Sequence, residues 1–347
     1  MIFCGDIALP DESIKIELPE ILKNKKWFVN LEGSLIPSSQ VDEMRSQKRV
    51  FNNLDALKQL SKTLNIVACS LANNHIEDCG SVDNTERYLE DISLKHVGTG
   101  SNLSESEKAI FVADEDLTVL SFGWDVIKCP SASATKGGVN PYKKEHVIES
   151  VKRALLTSNK LVCFFHWGYE LEAYPLPYDR ELAHSLIDRG VKAVIGCHAH
   201  RVQQIEFYKG KPIVYGLGNF LFPHGVYWDG RLKFPDFTKK ELAFELTNNG
   251  HFISHWFEYD IIENKLNFIY SEEITPEKID FEGRAEYSEL TSKEYDKFFR
   301  SNRYHKKLLP VFMSNENNVS YAAKSLFVKY RGCLIDLLVR MNLKAKK

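Results

Sequence analysis

Asp6, Glu32, Asn74, His75, His166, His198 and His200 are the residues of this chain whose types and placement could do chemistry. Together they offer carboxylates, a carboxamide and imidazoles. Such a mixed oxygen and nitrogen donor set suits borderline divalent metals such as Mn, Fe, Zn or Co. The chain has no C-x-x-C pair, so a closed structural zinc site is not expected. His198 and His200 stand two apart, a spacing that puts both rings on one face of an extended segment. The chemistry this set suggests is metal-assisted hydrolysis, in which a metal activates water and polarises an electrophile.

Each piece also has an ordinary reading. A single histidine at a strand end, such as His166, is often only a partly buried core histidine. Asn73-Asn74-His75 reads as a turn, because asparagine tolerates left-handed backbone and caps helices. Asp6 and Glu32 could be helix N-caps or surface charges. All these readings would have to hold independently for the constellation to dissolve.

The elements that must position these residues argue against that. Asp6 follows the apolar run Ile2–Cys4, and Glu32 follows Trp27–Leu31. Asn74 and His75 follow Asn65–Leu71, His166 follows Leu161–Phe165, and His198 and His200 follow Val191–Ile195. Each run reads as a strand, and each candidate lies just past its C-terminal end. In open α/β sheets those ends share one rim, where ligands bind. Helical spacing is expected over 51–64, 85–94, 143–156 and 179–189, the last stopped by Gly190. Ala109–Ala113 and Leu117–Phe122 read as paired strands, and 123–141 as a long loop. Lys209-Gly210 signals a hairpin between Ile205–Tyr208 and Pro212–Tyr215. Leu242–Leu246, Phe252–Tyr259 and Lys265–Tyr270 read as successive antiparallel strands, and the chain turns charged and helical from about 285. The expected class is α/β, with a β-rich core and a helical C-terminal appendage.

Bulk properties exclude several alternatives. The 347 residues carry a formal net charge of −2, so the whole chain is no electrostatic nucleic-acid binder. Its seven cysteines are scattered and unpaired in sequence, which fits a reduced, cytoplasmic chain. The start MIFCGDIALPDES has no basic region and no long apolar run, so no secretory signal is expected. No apolar stretch is long enough to predict a transmembrane helix. An amidohydrolase barrel fits less well, because such barrels place H-x-H after the first strand and here it follows Gly196.

Six blocks in order carry a resemblance: Gly5-Asp6, Asn30-Leu31-Glu32, Leu71–Gly80, His166-Trp-Gly-Tyr-Glu170, Gly196-Cys-His-Ala-His200 and Ile213–Phe220. With Gln203, Glu206, Tyr208 and Gly210 they cover roughly residues 1 to 250. The chain resembles the CapA family of bacterial capsule or poly-γ-glutamate synthesis proteins. That family looks like an outlying branch of the calcineurin-like metallophosphoesterases. The resemblance implies a four-layer αββα sandwich of metallo-dependent phosphatase type, with a domain over 1–280 and a helical extension over 281–347. It implies one or two divalent ions (Mn, Fe or Zn), held by Asp6, Glu32, Asn74, His166, His198 and His200, with Asp6 as the bridge. His75 would be the general acid, and Glu170 and Asn219 would bind substrate or orient ligands. Glu170 could equally be a solvated charge, and Asn219 a turn residue. Trp167 and Tyr169 would wall the pocket, or pack in the core as such aromatics more often do.

Two departures stand out. Phosphoesterases usually carry a histidine two residues after the first aspartate, where this chain has Ala8. Their second motif usually supplies Gly-Asp, where this chain has Leu31-Glu32. CapA-like sequences share both departures. The implied function is a metal-dependent hydrolase of capsular polymer or of a phosphoester. The alternative is a non-catalytic, metal-containing subunit that binds capsule synthesis proteins.

Residues 318–347 hold seven Lys or Arg and one acid, Asp336. Leu326, Tyr330, Leu334, Leu337 and Met341 fall on one helical face. The functional reading is a helix on an anionic membrane surface, at the inner face of the membrane. The favoured reading is a helix docked on the domain with a solvated basic end, because Gly332 weakens the helix and Asp336 interrupts the basic face.

Overall fold

The computed structural model describes residues 1–278, 285–304 and 308–341, apart from the side chains of residues 336, 339 and 340. The expected boundary between 280 and 281 lies outside these residues, as do 342–347 and the side chain of Asp336.

Two large mixed sheets form the body. The first runs in the order Lys15–Glu17, Lys265–Ile274, Phe252–Asp260, Lys240–Leu246, Ile2–Ile7, Lys26–Leu31, Asn65–Ser70, Lys95–Val97. The second runs Ile205–Tyr208, Lys211–Val214, Ala193–Cys197, Leu161–His166, Leu117–Gly123, Ile110–Val112. Within each, the strands that carry candidate residues are parallel to one another, so their C-terminal ends point the same way. The expected hairpins form: Ile205–Tyr208 pairs antiparallel with Lys211–Val214, and Ile110–Val112 with Leu117–Gly123. Lys209 and Gly210 both take positive φ, 51° and 73°, as a tight hairpin turn requires.

Alternation along each strand decides what packs where. Phe3 and Phe28 of the first sheet point one way and meet Phe164 of the second, with ring centroids 6.5 and 5.1 Å away. The two sheets therefore face each other through an aromatic layer. Each such fully buried ring stabilises the fold by about 1.5–3 kcal/mol. The opposite faces bury against helices. Ile2, Trp27 and Val29 pack with Leu57 and Leu60 of helix Leu54–Thr63 and Leu89 of helix Val82–Asp91. Phe122, Phe165 and Trp167 pack with Val147 and Val151 of helix Lys144–Leu155 and Leu182 and Leu186 of helix Pro177–Asp188.

Some boundaries differ from expectation. Residues 51–53 form a short strand, and the helix begins at Leu54, because the Asn53 side chain accepts from Asp55 N and Ala56 N as an N-cap. Within 123–141, Gly138–Val139 pairs with Thr99–Gly100, so that stretch is not wholly a loop.

The C-terminal segment shares the core of the second sheet. Tyr287, Tyr295, Phe299 and Phe312 are buried in the same cluster as Phe165 and Trp167. Helix Ser292–Asn302 opens on a capping box of Thr291 and Glu294. Helix Asn318–Arg340 docks through Tyr321, whose hydroxyl accepts from Trp124 Nε1 at 2.7 Å. The apolar stripe is not the docking face: Leu326, Tyr330, Leu334, Leu337 and Met341 are 53–68% exposed. Gly332 does not end the helix; Lys128 Cε lies where its Cβ would come within 3.2 Å, so a neighbouring side chain packs there. Among the described residues no helix is long and apolar enough to cross a membrane.

Candidate metal centre

All seven residues converge, but on the joint edge of two sheets rather than on one rim. Asp6, Glu32, Asn74 and His75 come from the first sheet and its loops; His166, His198 and His200 come from the second. Strand Ile2–Ile7 shifts register against Lys26–Leu31 between Phe3 and Asp6. There a Cβ on Gly5 would lie 2.0 Å from Gly218 O, so only glycine allows this approach. Asp6 N donates to Gly218 O at 3.1 Å, which sets Asn219 beside the site.

His166 Nε2 lies 2.6 Å from Asn74 Oδ1 and 3.0 Å from His198 Nδ1. His200 Nδ1 donates to Asn219 Oδ1 at 2.8 Å and lies 3.4 Å from Asp6 Oδ2. Its Nε2 lies 3.9 Å from Glu32 Oε1. His75 Nδ1 donates to Asp78 Oδ2 at 2.9 Å, and its Nε2 lies 3.9 Å from Glu32 Oε1. Three overlapping groups have ligand atoms within 4.8 Å of one another: Asp6, His166 and Cys197; Glu32, His166 and His198; Asp6, Glu32 and His200.

His198 and His200 do not sit on an extended segment. The strand ends at Cys197, and both histidines take left-handed backbone, with φ of 87° and 51°. Such conformations are unfavourable outside glycine and persist where surrounding contacts hold them. Here Asp6 Oδ2 accepts from His198 N at 3.2 Å, and Asn219 holds the His200 ring. The turn, not strand alternation, aims both rings into the site.

The electrostatics fit a divalent cation. Both Glu32 carboxylate oxygens are buried, and among the described residues neither has a hydrogen-bond partner. Burial, and then the charge of Asp6, push the Glu32 carboxyl well above its usual range. Burial also raises Asp6, against the pull of His200, the Asn30 amide and the His198 N–H. Burial pushes His166 well below the usual imidazole range, and His198 down to about 3. The rings are thus neutral lone-pair donors facing carboxylates that lack a counter-charge. A divalent ion would satisfy both.

Other residues fall into distinct places. Glu170 is exposed, and its charge acts on Glu32 and His198, so it stands at the mouth. Asn219 is buried; besides holding His200 it keeps an unpartnered Nδ2, and its backbone N donates to Glu241 Oε2 at 2.5 Å. Trp167 and Tyr169 belong to the core: Trp167 Nε1 donates to Tyr215 O at 3.0 Å, and the Tyr169 hydroxyl to Pro310 O at 3.0 Å. Ala8 lies in an apolar cluster with Ile36, Val50, Phe51, Phe222 and Tyr227. Three residues escaped the sequence reading. Asn30 Nδ2 donates to Asp6 Oδ1 at 2.7 Å, Cys197 Sγ lies 3.2 Å from His166 Nδ1, and Asp78 holds His75. The Cys197 thiol is pushed well up by burial, so it keeps its proton and is a poor ligand. Asn30 stood in a quoted motif, and its place one residue before Leu31-Glu32 was the available signal.

Two mixed sheets that bring a buried carboxylate–imidazole cluster to their common edge define a mixed α/β protein with a candidate divalent-metal centre. The chain belongs to the bacterial capsule synthesis protein family PGA_cap, whose model matches residues 2–224. It is 29% identical over 201 residues to the PGA biosynthesis protein CapA of Bacillus subtilis, covering 56% of this chain and 53% of that protein. It is 27% identical over 217 residues to the capsule biosynthesis protein CapA of Bacillus anthracis, covering 60% of this chain and 49% of that protein. The chain thus spans about half the length of the curated relatives it matches. Among solved structures, a Staphylococcus aureus protein crystallised as a 5′-nucleotidase aligns at a TM-score of 0.42 and 10% identity, over 81% of this chain and 56% of that chain.

Proposed function

We propose that this chain is a metal-dependent hydrolase that acts in the synthesis or remodelling of a capsular polymer, poly-γ-glutamate or polysaccharide, on a phosphoester, amide or ester bond. The observation that carries the reading is Glu32: two buried carboxylate oxygens without a partner, among imidazoles held neutral. Asp6, Glu32, Asn74, His166, His198 and His200 would hold one or two divalent ions, Mn, Fe or Zn. The chemistry such an ion supplies when bound is activation of water and polarisation of the scissile group. His75 is the general acid. Asp78 anchors its Nδ1, so Nε2 faces the site and gives its proton to the leaving group. The Asn219 Nδ2 amide and Glu170 contact substrate at the inner wall and the mouth. The arrangement fits the metallo-dependent phosphatase type of four-layer αββα sandwich, with residues beyond about 280 as its helical extension.

A second reading, a metal-containing binding subunit of a capsule synthesis complex, draws on Ala8. Ala8 stands where a histidine would sit, and it lies in an apolar cluster. We place the protein in the cytoplasm, with the exposed stripe of helix Asn318–Arg340 resting on the anionic inner face of the membrane. Metal analysis of the purified protein, with assays on chromogenic phosphodiesters and polyglutamate, tests the hydrolase. A His166→Ala, His200→Ala double variant that kept both metal and activity would sink it; a pull-down of polymerase components insensitive to His75→Ala would favour the second reading.

A further inference from the structure

Buried arginines in this protein come in two kinds. Arg180 is 3% exposed and fully engaged. Its fork meets both Glu206 oxygens, and it donates to the carbonyls of Leu290 and Ser288 at 3.1 Å. Arg303 is 4% exposed, yet among the described residues its Nε and Nη2 have no hydrogen-bond partner. Arg201, half-buried and next to His200, likewise leaves its Nε buried and unpartnered.

The two incomplete arginines share one neighbourhood. The Arg201 guanidinium lies 4.4 Å over the Phe237 ring, and that ring is 5.9 Å from the ring of Tyr304, next to Arg303. Buried Glu172 acts electrostatically on both arginines. Its Oε1 is already engaged, accepting from Ala173 N at 3.0 Å and Tyr304 N at 2.6 Å. Burial pulls both guanidinium groups below the usual arginine range, against the pull of Glu172. Guanidinium N–H groups withdrawn from water and left unpaired are costly, and a bound anion would relieve that cost.

The neighbourhood adjoins the metal centre. Leu171 N donates to Ala199 O at 2.8 Å, between His198 and His200, and Leu171 O accepts from Arg201 Nη1 at 3.4 Å. Glu170, the preceding residue, is the one whose charge reaches Glu32 and His198.

We propose that Arg201 and Arg303 form an oxyanion-binding subsite beside the metal centre, which receives a carboxylate or phosphate group of the ligand while the scissile bond lies at the metal. The planar fork of arginine matches either oxyanion. Phe237 and Tyr304 form the wall, and their partial exposure, 38% and 48%, leaves it open to ligand. The subsite rests on the proposed reading of the neighbouring centre as a substrate site, and it deepens that reading by making the ligand an anion.

The test uses the full chain, stripped of metal with chelator, titrated separately with inorganic phosphate and with glutarate. Arg201→Gln and Arg303→Met should each weaken binding of whichever anion binds by about tenfold or more. Without anion, Arg303→Met should melt no lower than the parent, whereas Arg180→Met should melt lower. The His166→Ala, His200→Ala double variant should keep anion binding. Phosphate without glutarate, or the reverse, supports the subsite and names its oxyanion. Binding by neither anion, or binding untouched by either arginine change, overturns it. Anion binding lost only in the histidine double variant also overturns it, and leaves the hydrolase reading standing. Should Arg303→Met fail to fold, Arg201→Gln decides alone.

Discussion

A buried carboxyl that keeps its proton until a cation displaces it ties metal affinity to pH, and Glu32 is such a group. Burial and the charge of Asp6 raise its carboxyl well above the usual range, and burial raises Asp6 too. The metal-free protein therefore holds a proton on this pair to higher pH than free carboxyls do. His166 and His198, the latter pushed down to about 3, are already neutral and release nothing. Binding of Mn or Zn at pH 7 should release about one proton, from carboxylate rather than imidazole. One linked proton makes affinity rise about tenfold per pH unit, or about 1.36 kcal/mol. An ordinary histidine and carboxylate site would be flat above about pH 6.5. The sign for stability follows: a raised carboxyl stabilises the metal-free fold at low pH, and that contribution is lost as pH rises through its folded pKa. The assay is calorimetric titration at one pH in two buffers of different ionisation enthalpy, repeated from pH 6 to 8. Glu32→Gln should weaken binding and flatten the pH dependence. No proton release at pH 7, or affinity that rises only below pH 6.5, would refute the reasoning.

Three further outcomes are expected. Asp179 is buried, accepts from the Tyr142 hydroxyl at 2.6 Å, and is raised by burial from 3.8 to about 7. Its contribution is full below pH 3.8 and lost as pH rises through about 7, so Asp179→Asn should gain on the parent by up to about 4 kcal/mol between pH 4 and 8, read by denaturant unfolding. Asp78→Asn should leave metal content unchanged and lower hydrolysis by about 10²-fold, because the carboxylate no longer anchors His75 Nδ1; an unchanged rate would remove His75 as the acid. Leu334→Glu should reduce co-sedimentation with anionic vesicles and leave the melting temperature within about 2 °C of the parent, as befits a residue 56% exposed; equal sedimentation would free the stripe from any membrane role.

The strand ends were legible because apolar runs stop where polar ligands begin, as at Leu161–His166. The sequence could not say which sheet each strand would join. That choice is made by long-range contacts such as Phe28 against Phe164, and it turned an expected single rim into an edge between two sheets. The spacing of His198 and His200 singled out two residues that lie together in the candidate site, but the backbone there is left-handed rather than extended. The tail showed the opposite fault. Its apolar stripe was correctly periodic, yet Tyr321 docks the helix and the stripe faces outward. Arg303 was out of reach for another reason: whether a polar group is paired depends on partners far away in the chain.

Because the sheets supply different halves of the centre, the chain gains its ligands on a schedule. A nascent chain that has emerged through Asp78 offers only oxygen donors from Asp6, Glu32 and Asn74, plus the His75 imidazole held by Asp78. The remaining imidazoles arrive after residue 165, and they reach the carboxylates only when the second sheet has closed over Phe3 and Phe28. Tight capture of a borderline metal at this candidate centre would thus be a late event in folding, and a bound ion would mark chains whose two sheets have found each other.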